Sequence, residues 1–164
     1  MGVEIKIEFD TSDLNNYISA AKKMQQKIVD TYLQDLADFI LSDAQRNLEF
    51  EPSTKAFDSG ALANSGTSKH EKNKVIVGFG GPESKDYALA VEFGTDPGHR
   101  PPIAPLIAWA RRVGIPKPEK VAWAIAKTIE KTGLRERPFL RSAVEKGLRE
   151  APRIWNDAVK NSAF

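Results

Sequence analysis

The chain has 164 residues, 41% of them hydrophobic and 28% charged, with a formal net charge of +2 and no cysteine. That length fits one domain, taken as 1–164, and the composition is that of a globular protein. The missing cysteines exclude a disulfide framework, thiol catalysis and cysteine-ligated metals, and no apolar run approaches the ~20 residues that cross a membrane, so no membrane partner is expected.

The N-terminal Met1–Lys6 has neither a basic leader nor an apolar h-region, and no signal peptide is expected. Val3 to Phe9 then alternates apolar and charged residues, the pattern of a half-exposed edge strand. Asp10 to Asp13 supplies a turn and an N-cap. From Leu14 to about Leu48 the apolar residues step by three or four, with no Pro or Gly among them, which predicts one long helix. Some 35 residues make a rod of about 50 Å, so the helix is expected either to bend or to protrude. Glu49 to Phe57 reads as a loop, and Asp58 to Ser65 as a compact turn around Gly60. Thr67–His70 and Val75–Phe79 read as a strand pair joined by a turn over Glu71–Lys74.

Tyr87, Leu89, Val91 and Phe93 alternate with Ala88, Ala90 and Glu92, which predicts a third strand with one large apolar face. Two Gly and three Pro between Gly94 and Pro102 end it in a loop that carries Asp96, His99 and Arg100. A helix is predicted from Ile103 to Val113, with Arg111 and Arg112 in its last turn and Gly114 as its stop. A second runs from Val121 to Ile129 and ends by Gly133; a third starts near Phe139 and is ended or kinked by Pro152. The fold class that follows is α+β: a long N-terminal helix packed on a small antiparallel sheet, with additional C-terminal helices.

Charge is unevenly placed. Residues 1–95 carry 10 Lys+Arg against 15 Asp+Glu, and residues 96–164 carry 14 against 7, with eight Arg among the 14. An Arg-rich half including Arg111, Arg112, Arg135, Arg137 and Arg141 suits either DNA phosphates or the acidic half of a neighbouring subunit. Glu92, Asp96 and His99 share one loop region, but only His70 could add a second imidazole, too few for a three-ligand metal site. Gly78 to Gly81 lacks the ending of a phosphate loop, and no serine sits in a nucleophile elbow. No cofactor and no catalytic set is expected.

Three segments occur in a fixed order: Asp58-Ser59-Gly60-Ala61-Leu62-Ala63-Asn64-Ser65, then Tyr87-Ala88 with Val91-Glu92-Phe93-Gly94-Thr95, then Arg137-Pro138-Phe139-Leu140-Arg141-Ser142-Ala143. Together with the leading helix, they make the chain resemble the minor tail-component or neck protein family of long-tailed bacteriophages and their prophages, over about residues 10–150. The resemblance implies a non-enzymatic virion part, made in the host cytoplasm and acting at the head–tail junction or in tail completion. It also implies several copies around the DNA channel, contacts with other neck or tail proteins, and no sequence-specific contact with the DNA. The motif residues Gly60, Leu62, Ser65, Tyr87, Val91, Glu92, Phe93, Gly94, Thr95, Arg100, Pro138, Phe139 and Leu140 are the candidate structural or interface positions. On physical grounds Gly60 and Gly94 supply positive φ or close backbone approach, Tyr87, Val91 and Phe93 anchor a sheet to the long helix, and Pro138 sets the start of a helix. Two other readings stand beside this one: a nucleic-acid-binding module using the Arg-rich half, and a hydrolase using Glu92 and His99.

Overall fold

In the computed structural model, which describes residues 12–50, 60–81 and 85–162, the uninterrupted stretch Ser12–Glu49 forms one α-helix, α1. At 1.5 Å per residue its 38 residues extend about 57 Å. The short helix α2 (Ala61–Asn64), strands β1 (Thr67–Glu71) and β2 (Lys74–Gly78), and helices α3 (Lys85–Phe93), α4 (Ile103–Arg112), α5 (Pro118–Thr132) and α6 (Phe139–Ser162) follow. The predicted edge strand at 3–9 and the loop at 51–57 lie outside the described residues.

α6 is the main partner of α1, and the two run antiparallel. Asn47 meets Phe139, Asp43 pairs with Lys146, Ile40 packs over Gly147, and the Tyr32 and Trp155 rings meet edge-on at 5.3 Å. Small residues make this approach possible: Ala44, Ala143 and Ala158 are fully buried, and a Cβ on Gly147 would lie 2.6 Å from Ile40 Cγ1. The core gathers Ala44 and Leu48 of α1, Leu62 and Ala63 of α2, Ala88 of α3, and Phe139 and Ala143 of α6. It therefore joins the acidic and the basic halves of the chain. Its largest fully buried side chains are Phe139 and Leu48, each worth about 1.5–3 kcal/mol by apolar transfer alone.

Among the described residues the sheet is a two-stranded antiparallel hairpin with Glu71 opposite Lys74. Asn73 takes φ 57° in its turn, a conformation Asn tolerates better than other side-chain-bearing residues. The hairpin lies along α1, where Gln26 Nε2 donates to Asn73 Oδ1 at 2.9 Å and Asp30 stands 3.8 Å from His70. At its other end, Gly66 fits beneath Leu41 and Phe79.

One expectation is corrected. Residues 87–93 are helical, in α3, so the predicted third strand does not exist. The alternation there was of large against small residues, because Ala88 and Ala90 are apolar and, with Leu89 and Glu92, strong helix formers. In the helix Ala88 and Glu92, four apart, are buried, whereas Tyr87, Leu89 and Phe93 are exposed. Tyr87 and Phe93 thus do not anchor a sheet; of the three, only Val91 packs against the core. Pro152, expected to end or to kink its helix, lies inside α6, which continues past it to Ser162. The carbonyl it leaves without a helical amide partner is that of Leu148, a residue 64% exposed.

α1 also answers the choice between bending and protrusion. Every residue from Ser12 to Gln25 is exposed, and the first buried position is Ala37. The N-terminal turns project beyond the body and carry Leu14, Tyr17 and Ile18 at 58%, 75% and 44% exposure.

Candidate assembly surface

The three motif segments, distant in sequence, meet around the start of α6. Four N–H groups at a helix N-terminus have no partner within the helix. The residue before α6 is Pro138, whose side chain offers no acceptor. Glu92 of α3 supplies one instead. Its Oε2 accepts from the Leu140 amide at 2.9 Å and its Oε1 from the Arg141 amide at 2.9 Å. These are the second and third residues of the helix, the amides an N-cap side chain ordinarily serves. Glu92 is 6% exposed, and its charge stands at the positive end of the helix dipole. Arg137 N also donates to Val91 O at 2.8 Å. Both Glu92 oxygens are thereby engaged in holding α3 and α6 together rather than offered to a substrate.

Gly94 completes this junction. It takes φ 72° directly after α3, and a Cβ there would lie 2.5 Å from Leu134 O and 2.8 Å from Glu136 N. The contact it permits is a bridge in which Thr95 N donates to Leu134 O at 3.0 Å and Leu134 N to Thr95 O at 3.1 Å. The first motif adds Gly60, at φ 78° before α2, and the buried Leu62. Ser65 Oγ donates to Leu62 O at 2.7 Å and accepts from Gly80 N at 3.0 Å.

Sequence reasoning missed Asn47, whose Nδ2 donates to the Phe139 carbonyl oxygen at 3.0 Å in the buried core. A polar residue between the core positions Ala44 and Leu48 of the helical stripe was the available signal. It also missed Leu89, which lines an apolar groove with Phe79, Phe93 and Leu140. That groove, about 310 Å³, opens beside the Glu92 junction.

Among the candidate cations, Arg111 pairs with Glu119 and holds its carboxyl below the usual range. Arg141 pairs with Glu136 at 2.9 Å, a hydrogen bond that raises the guanidinium further. Arg100 binds Glu130 at 2.6 Å and lies 5.7 Å over the Trp123 ring. Arg112 and Arg137 have partners as well, and Arg135 is exposed. Asp96 and His99 are exposed. Among the described residues no group of three or more His, Asp or Glu is placed to hold a metal ion, and no helix is long and apolar enough to cross a membrane.

A family model described as "Bacteriophage HK97-gp10, putative tail-component" matches residues 12–94. The chain belongs to this HK97-gp10-like family. It is a bacteriophage tail component, a structural part of a virion. The matched stretch runs from the first turn of α1 to Gly94, and so takes in the first motif, the second as far as Gly94, and half of the Glu92 junction. Comparison with curated proteins and with solved structures found no match.

Proposed function

We propose that this HK97-gp10-like protein is a non-enzymatic part of the head–tail connector, or neck, or of the tail-completion layer. It is made in the host cytoplasm and assembles in several copies as a ring around the DNA channel, against other neck or tail proteins. The observation that carries the reading, beyond family membership, is the projecting end of α1. Leu14, Tyr17 and Ile18 form an exposed apolar stripe on a rigid helix, a surface more suited to a protein neighbour than to water. Glu92 supports the non-enzymatic side of the proposal, since its two oxygens are committed to helix amides.

The Arg-rich half serves, in this reading, at a subunit interface. The acidic half of the next copy supplies a matching surface, and a ring joins one patch to a different one. The competing use is a DNA-facing lumen without sequence specificity. It draws support from residues 103–132, the α4–α5 hairpin, which carry six Lys/Arg against two Asp/Glu together with Trp123 at 53% exposure. Sedimentation at low and high salt, with and without duplex DNA, separates the two. An interface loosens as salt screens exposed charges beyond about 8 Å. A lumen leaves oligomers intact while duplex binding falls steeply.

A further inference from the structure

Among the described residues, a ridge and a groove are exposed apolar features of opposite shape. One is the ridge Leu14, Tyr17 and Ile18 on the projecting end of α1, with Tyr17 75% exposed. The other is the groove between α3 and α6, lined by Phe79, Leu89, Phe93 and Leu140. Leu89 and Phe93 stand four apart on the outer face of α3 and are 69% and 62% exposed. At about 310 Å³ the groove is at the small end of ligand pockets. It offers a few apolar side chains a seat without a cluster of polar groups to orient a cofactor.

The two features cannot meet within one molecule. Phe139, in the groove wall, bonds to Asn47 near the far end of α1. Thirty residues of the continuous helix α1 separate Asn47 from Tyr17, about 45 Å at 1.5 Å per residue. A rigid subunit with a ridge at one end and a groove at the other joins a second copy head to tail, and repetition of that step closes a ring or extends a filament. The size of the contact fits the same use. Tyr17 brings roughly 150–250 Å², and Leu14 and Ile18, already partly covered at 58% and 44% exposure, bring less, which leaves the contact below the ~800 Å² per partner of a stable dimer. A single contact is therefore weak, and assembly depends on closure or on a neighbouring layer.

We infer that Leu14, Tyr17 and Ile18 of one copy dock into the Phe79–Leu89–Phe93–Leu140 groove of the next. This inference rests on the multi-copy reading proposed above, and names its contact.

The cysteine-free chain permits a direct test. The full-length Tyr17→Cys and Leu89→Cys variants are oxidised at high concentration, singly, as a mixture and as the double variant. A head-to-tail contact gives dimers from the mixture, a ladder of multimers from the double variant, and little from either single variant. Both positions are largely exposed, so melting should be unchanged in each. Tyr17→Lys should weaken self-association at least tenfold while melting as the native chain does. Dimers from Tyr17→Cys alone, equal to those of the mixture, would show a two-fold contact instead and overturn the inference. Oligomers that sediment without a 17–89 cross-link overturn this contact and leave the multi-copy reading standing. A monomer at every concentration, with and without neck proteins, removes both.

Discussion

The carboxylate of Glu92 and the amide of Leu140 lie 48 positions apart in sequence and 2.9 Å apart in space. With the matching bond to Arg141, this joins α3 to the start of α6 and does for that helix what Pro138 cannot. Glu92→Ala should destabilise the protein by about 1–3 kcal/mol, through loss of the cap and two part-buried amides left without acceptors. Glu92→Gln keeps one acceptor and turns an NH₂ toward the second amide, so its loss should be smaller but clear. Urea unfolding monitored by circular dichroism measures both. Equal stability of Glu92→Ala and the native chain would show that the bonds contribute nothing, and a hydrolytic activity that disappears in Glu92→Gln would overturn the structural role.

Gly94→Val should be more damaging than a backbone effect alone. Positive φ costs a β-branched residue on the order of 1–3 kcal/mol, and the new Cβ would also collide with the Leu134 and Glu136 backbone. Gly98 makes the control, since it has φ 103° but no atom within 4 Å of an added Cβ. Thermal melting should therefore rank Gly94→Ala well below Gly98→Ala. Similar melting of the two would remove the close approach to Leu134 as a reason for glycine at 94.

Phe139→Ala removes a side chain that is 2% exposed and meets Phe79 edge-on with ring centroids 5.1 Å apart. Truncations of this kind cost about 3–5 kcal/mol, enough to leave a small domain partly unfolded. Denaturant titration of the variant should show a lower midpoint with a similar slope, and a midpoint within error of the native value would mean the core collapses around the gap.

Much of this architecture was legible in the residues. α1 has no Pro or Gly to interrupt it and carries two apolar stripes; the hairpin is bounded by turn residues; α4 and α5 end at Gly114 and Gly133. The segment 87–93 was not legible by alternation, because a large–small rhythm with Ala at the small positions is also what a helix shows when Ala88 packs inward and Leu89 points out. The role of Glu92 needed the tertiary structure, since its partners come 48 and 49 residues later. Pro152 left two outcomes open in the sequence, an end or a kink, and α6 runs on past it to Ser162.

The charge split makes a separate prediction for the Arg-rich half. If it pairs with the acidic half of a neighbour, oligomers of the pure protein should shrink as salt rises, and duplex DNA should not rescue them. Analytical ultracentrifugation across salt, with and without duplex, reads this. Oligomers that persist in high salt while duplex binding falls would assign the cations to a DNA-facing lumen instead.

The central claim, that this tail component works as a multi-copy ring, is tested most directly by the mass and shape of the assembled species. Light scattering on the full-length protein at high concentration and with its neck partners, followed by electron microscopy of the same fractions, should give a discrete multimer of closed rings with a central opening. A monomeric mass under all of these conditions, with no ring on the grid, would contradict it.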